Sequence, residues 1–209
     1  MMDPKKKLHI GLTISIIALV LIIDQWIKFY IKTHFMLHES YEVTSWFYLL
    51  FTENDGMAFG WNLFNKLFLT SFRIIAVAFI AYYVIKLICR KVQVQTGYIV
   101  CLALVTAGAA GNIFDCIFYG LIFNESTPWS VASLVPFGEG YSGLFTGKVV
   151  DMLYFPLFSW TWPEGIPVFG GMHCVFFSPI FNFADASISC GIIAILLFYR
   201  KYLTTSKDE

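Results

Sequence analysis

Four long apolar runs divide the chain. The first starts at Leu8 and continues through IGLTISIIALVLII to Asp24 and Gln25. The second runs from about Leu67 to Ile85 with Arg73 as its one charge. The third lies between Lys91 and Asp115 and carries no charge. The fourth runs from about Ser178 to Tyr199 and holds Asp185. A helix crossing a bilayer needs about 20 mostly apolar residues. The pattern therefore predicts spans at about 8–28, 67–88, 96–116 and 178–199. The short polar piece CRKVQVQTG joins the second and third. Two longer segments, about 32–66 and 117–177, separate the others.

Within those segments the period changes. WFYLLF (46–51) and VVDMLYFPLF (149–158) are rich in aromatic and β-branched residues and read as strands. They are apolar enough to rest on a bilayer interface, where Trp and Tyr are favoured. Residues 128–147 contain Pro128, Pro136 and several Gly and Ser, and read as an irregular loop. Phe118, Tyr119, Phe123, Trp129, Phe137, Tyr141 and Phe145 lie along 117–147, which is expected to fold against the membrane surface and limit access to a site beside it. The expected fold is all-α in the membrane: four transmembrane helices, a small β-rich extracytoplasmic part, and one domain over 1–209.

Composition agrees. Of 209 residues 58% are hydrophobic, 19% aromatic and 13% charged, against about 25% charged in a soluble domain. A soluble globule, a disordered chain and a basic nucleic-acid-binding domain are thereby excluded. The net charge is zero, but its distribution is uneven. With four spans both termini share one side. That side holds Lys5, Lys6, Lys7, Lys86, Arg90, Lys91, Arg200, Lys201 and Lys207, whereas all acids except Asp3, Asp208 and Glu209 fall on the other. Basic residues mark the cytoplasmic side, so both termini are expected there and the two long segments outside. KKK followed by an apolar run looks like a signal peptide but has no small-residue cleavage site after it, and reads as a retained anchor. The five cysteines form no disulfide framework, and free thiols are expected rather than a Cys116–Cys174 bridge.

Ionisable residues inside spans are costly, which makes them functional candidates. At about 1.5 Å per residue, Asp24 lies roughly 24 Å from Leu8, Asp115 roughly 27 Å from Gly97, Asp185 roughly 21 Å from Tyr199 and Arg73 roughly 20 Å from Lys86. Four helices thus place a charge near one membrane boundary. Asp24 and Lys28 are spaced to pair on one helix face, and structural ion pairing is a competing explanation for them, for Arg73 and for Asp115. Gly108, Gly111, Asn112 and Asp115 share a face, as do Asn182 and Asp185. His9, His34, His38 and His173 lack metal-ligand spacing, and neither HExxH, GxSxG nor a phosphate loop is present. What remains is a set of carboxylates. Two of them sharing a proton can activate water and protonate a leaving amine. That chemistry needs no metal and no cofactor. A small ion-coupled transporter is the alternative, as is a scaffolding protein with apolar outer loops. Against transport, the charges gather at one boundary and the cytoplasmic halves of the spans are nearly featureless.

Five local sequences resemble the lipoprotein signal peptidase (signal peptidase II) family of bacterial membrane aspartyl proteases. DQWIK resembles its Asp-x-x-x-Lys (Asp24, Lys28). ENDGMAFG is similar to Asn-x-Gly-x-Ala-Phe (Asn54, Gly56, Ala58, Phe59). GAAGNIFD is similar to Gly-x-x-Gly-Asn-x-x-Asp (Gly108, Gly111, Asn112, Asp115), GKVVDML to a segment whose Asp is catalytic (Asp151), and FNFADASI to one whose Asp is the second catalytic carboxylate (Asp185, with Asn182). The resemblance implies Asp151 and Asp185 as the catalytic pair. Asp24, Lys28, Asn54, Gly56, Gly108, Asn112, Asp115 and Asn182 would bind substrate or support the pair. It also implies a metal-independent endopeptidase of the bacterial inner membrane. Its substrate would be a diacylglyceryl-modified prolipoprotein, cut before the lipidated Cys. The expected partners are that substrate and membrane lipid, with no nucleic acid, and the enzyme would be a monomer. Three features depart from the family: Cys116 stands where Arg usually follows the third-span Asp, Ala186 stands where Ser usually follows the fourth-span Asp, and the links from Asp115 to Asp151 and from Asp151 to Asn182 are long.

Overall fold

The computed structural model describes residues 3–54, 66–89 and 94–204. Helix α1 spans Pro4–His34, α2 Lys66–Cys89 and α3 Thr96–Ile122, each long and apolar enough to cross a membrane. A shorter apolar helix, α4, covers Phe183–Phe198, and a final turn, α5, covers Lys201–Thr204. Two helices extend well past the lengths expected, and α1 does so at its start as well, at Pro4 rather than 8. α1 continues from residue 28 to His34, and α3 through the apolar 117–122 to Ile122. α4 starts later than expected, because Ile180–Phe181 is strand and Asn182 caps the helix.

The strands are β1 Ser40–Thr44, β2 Phe47–Asn54, β3 Val149–Tyr154, β4 Phe158–Thr161, β5 His173–Phe176 and β6 Ile180–Phe181. The first segment read as a strand is one from Phe47 on, whereas the second is strand only over Val149–Tyr154, breaks at 155–157 and enters β4 at Phe158. The strands build an antiparallel sheet in the order β1-β2-β3-β6, and β4 pairs with β5 as a separate hairpin. The ladder between β2 and β3 shifts register between Leu49 and Thr52, after which Thr52 faces Asp151, Glu53 faces Val150 and Asn54 faces Val149.

α3 is the centre of the bundle. Its small face admits neighbours at close range: a Cβ on Gly108 would strike the Ala184 carbonyl and lie 2.8 Å from Ile188, and one on Gly111 would lie 2.7 Å from an Asp24 carboxylate oxygen. Outward apolar side chains such as Ile22, Trp26, Ile75, Phe79, Leu197 and Phe198 are exposed, as lipid-facing residues are. At one end Val84, Leu87, Ile88, Tyr98, Ile99 and Ile195 form a core. At the other, Ile31, Phe51, Tyr119, Phe123, Val150 and Met152 join α1 and α3 to the sheet.

Residues 123–147 fold back along the end of α3. The amides of Val135, Gly138, Tyr141, Ser142 and Gly147 donate to the carbonyls of Ile122, Leu121, Phe123, Gly120 and Cys116. The last helical carbonyls, which lack partners within the helix, are met in this way. All five cysteines are free thiols.

Candidate active site

The site forms where β3, β2 and the start of α4 meet α1 and α3. Asp151 enters from the middle of β3 and is 3% exposed. Asn54 sits diagonally across the ladder, facing Val149, and its side chain therefore lies on the Asp151 face of the sheet. Its Nδ2 donates to Asp151 Oδ2 at 3.4 Å.

Asp185 is placed by a helix start. Asn182 is the N-cap of α4, and its Oδ1 accepts from the Asp185 amide at 2.9 Å. The Asp185 carboxylate accepts from the Asn182 amide at 3.3 Å, completing a capping box. The same Asn182 donates through Nδ2 to Asp151 Oδ1 at 2.6 Å. One fully buried asparagine thus holds both carboxylates.

Asn112 supports this arrangement from α3. Lys28 Nζ donates to its Oδ1 at 2.9 Å, and Asn182 Nδ2 donates to the same oxygen at 3.1 Å. Lysine has donors only, so the Asn112 oxygen must face it and the amide nitrogen must face away. That nitrogen donates to Asp185 Oδ1 at 2.7 Å. Burial pushes the Asp151 carboxyl up to about 7, and the neighbouring Asp185 charge adds to the rise. Donation from Asn182 and Asn54 and the Lys28 charge oppose it.

Beneath lies a second set of charges. Lys28 Nζ is 2.9 Å from Asp24 and 2.7 Å from Asp115, and all three side chains are fully buried. Asp24 Oδ1 accepts from the Ala184 amide at 2.9 Å, in the first turn of α4, where a negative charge is favoured. Asp115 Oδ2 accepts from the Val150 amide at 3.4 Å. The structural pairing weighed for Asp24, Lys28 and Asp115 is present, and it ties α1, α3, α4 and β3 together at one point. Gly108 and Gly111 permit that approach. Gly56, Ala58 and Phe59 lie outside the described residues. Arg73 Nη1 approaches Cys116 Sγ at 3.7 Å.

Sequence reading missed several members. Gln25 donates to Asp24 (3.1 Å), Asp115 (2.8 Å) and the Gly111 carbonyl (3.3 Å), and accepts from Tyr119. Lys32 is fully buried and pairs with Glu53 and Ser126. The signal for Lys32 was available: Asp24, Lys28 and Lys32 repeat every four residues and share one helix face. Nothing local in the sequence marks Glu53 or Ser126.

Comparison with known proteins addresses the family directly. Residues 16–201 match the signal peptidase (SPase) II family. The chain belongs to the signal peptidase II family. A lipoprotein signal peptidase of Porphyromonas gingivalis is 46% identical over 93% of this chain and 85% of its own length. One from Amoebophilus asiaticus is 34% identical over 89% and 76%. A solved bacterial membrane enzyme, determined by the in meso method at 2.3 Å, superposes with a TM-score of 0.60 at 25% identity, covering 96% of this chain and 94% of that one. This signal peptidase II chain is accordingly an aspartic endopeptidase, and its apolar helices fit a bacterial membrane protein.

Proposed function

We propose that Asp151 and Asp185 are the catalytic pair of this signal peptidase, which removes signal peptides from prolipoproteins and cuts before a diacylglyceryl-modified Cys. The observation that carries the assignment is Asn182, which donates to Asp151 and caps the helix turn that presents Asp185. Family membership supports the substrate class.

The two environments suggest the division of labour. Asp185 accepts hydrogen bonds from Asn112 and the Asn182 amide, which hold its carboxylate toward Asp151. Asp151 is buried and keeps its proton to about pH 7. Asp185 then takes a proton from water as the water oxygen attacks the scissile carbonyl, while Asp151 gives its proton to the carbonyl oxygen. The tetrahedral product collapses, the C–N bond breaks, and the leaving nitrogen takes the proton held on Asp185. Asp151 recovers its own from the collapsing hydroxyl. Asn54 and Asn112 hold the carboxylates in the geometry this requires, and an extended substrate backbone adds polar groups that asparagines can satisfy.

In the membrane, α4 serves as the fourth span beside α1, α2 and α3, and the whole chain is a single integral domain. Both termini face the cytoplasm and the sheet lies outside, as the basic residues argue. The enzyme acts as a monomer, and lipid surrounds its exposed apolar helix faces. The test uses detergent-purified protein and a synthetic diacylated lipobox peptide. Asp151→Asn and Asp185→Asn should each stay folded and cleave nothing; cleavage by either variant overturns the assignment.

A further inference from the structure

A second buried ionic cluster lies behind the catalytic sheet. Successive residues of a strand point to opposite faces. The Asn54 side chain lies on the Asp151 face of the sheet, so that of Glu53 lies on the opposite face, in the space between α1 and the 123–147 segment. There Lys32 Nζ pairs with Glu53 Oε1 and donates to Ser126 Oγ at 2.8 Å. Ser126 in turn donates to Glu53 Oε1 at 2.8 Å. Lys148 Nζ stands 3.5 Å from Glu53 Oε2. The Lys32 ammonium also lies 5.3 Å from the Phe123 ring centroid and 5.0 Å from that of Tyr141. The cluster therefore joins α1, β2, the start of β3 and the segment folded over α3. The Leu37 amide, bonded to the Thr127 carbonyl at 3.0 Å, fastens that segment to the chain just beyond α1.

Such a cluster is a poor device for stability alone. Removing two charges from water is costly, and an apolar pair of similar volume is often as stable or more so. What a buried pair supplies is a fixed geometry, since each charge tolerates few other positions. Here the position it fixes is that of Glu53, one residue before Asn54.

We propose that Lys32, Glu53 and Ser126 are positioning residues: their cluster sets β2 against α1 so that the next residue, Asn54, stays on the Asp151 carboxyl. This inference rests on Asp151 being catalytic. It assigns the 123–147 segment a structural part in catalysis, that of supplying the hydroxyl that closes the pair.

The experiment measures kcat and KM of the full chain on a synthetic diacylated lipobox peptide. The double variant Lys32→Met/Glu53→Leu removes both charges together. It should keep a cooperative thermal transition, lose about tenfold in kcat and hold KM within about twofold, as expected for geometry lost at the reacting groups. Combined with Asn54→Ala, it should cost little beyond Asn54→Ala alone, because both act through one contact. Wild-type kcat in the double variant, or full additivity with Asn54→Ala, overturns the proposal. Should the double variant fail to fold, Ser126→Ala decides, since it leaves both charges paired: a fall in kcat at unchanged KM supports the proposal and wild-type kcat overturns it. Failure of the underlying assignment is separately visible, because Asp151→Asn would then still cleave.

Discussion

The Lys28 ammonium has three acceptors within hydrogen-bond reach, one each from Asp24, Asp115 and Asn112. It neutralises two buried carboxylates and fixes the orientation of an amide that serves Asp185. Removing one partner of a buried ion pair typically costs about 3–5 kcal/mol. Lys28→Met should therefore lower folded yield and Tm sharply. Asn112→Ala leaves the ion pairs intact and should lower cleavage far more than it lowers Tm; matched losses would make Asn112 a packing residue. The Asp151 proton gives a pH prediction. Its carboxyl is raised to about 7 by burial first and by Asp185 second, so the proton is present below that pH and lost above it. Turnover should fall as pH rises through about 7, which a pH–rate profile on the lipopeptide measures. The limb should move to higher pH in Asn54→Ala, because the lost donor favoured the charged form. At this scale Asp24, Asp115 and Asp185 stood out by their cost in an apolar run, whereas Asp151, on a strand, was marked only by the family resemblance. Gln25 was not legible, because a neutral amide beside an aspartate carries no sequence signal of burial.

Each element contributes through its ends or its small face. α4 aims Asp185 by its capping box, and Asp24 of α1 holds the preceding amide, that of Ala184. α3 admits both neighbours at Gly108 and Gly111. Ala at Gly108 would press on the Ala184 carbonyl, which is backbone and cannot swing aside. Gly108→Ala should therefore displace the start of α4, lowering Tm and reducing kcat by about tenfold or more, since small misplacements at reacting groups are expensive. A variant with both at wild-type values would show that the helices have slack there. Spans and strands were readable because their periods differ, about 3.6 against 2. The start of α4 was not, because FFSPIFNF continues the apolar run. It took the Asn182 cap to show that the first part of that run is strand and cap rather than helix. The register of β2 on β3 was equally hidden, since its shift between Leu49 and Thr52 depends on partners far away in sequence.

Across the whole molecule, polar contacts concentrate where the sheet meets the bundle. The Lys28 cluster and the Lys32 cluster lie in succession along one face of α1, with Asp151 and Asp185 beside the first of them through Asn112. The sequence contained that face as Asp24, Lys28 and Lys32, but not the partner of Lys32. That partner set spans Glu53 and Ser126, and long-range pairing of this kind has no local pattern to read. The 123–147 segment is the test of how the parts cooperate. It covers the carbonyls at the end of α3, supplies Ser126 to Lys32, and leads directly into β3. Replacing 124–140 with a short Gly/Ser link should leave Lys32 and Glu53 paired but without Ser126, and should free the Ile122 and Leu121 carbonyls. The expected outcome is a lower Tm and a fall in kcat with KM and lipobox preference little changed, measured on diacylated peptides that differ beside the cleavage site. A segment acting as a cover over the site would give the opposite split, with KM and preference moving first and kcat held, because access and selectivity rather than alignment would then have been removed.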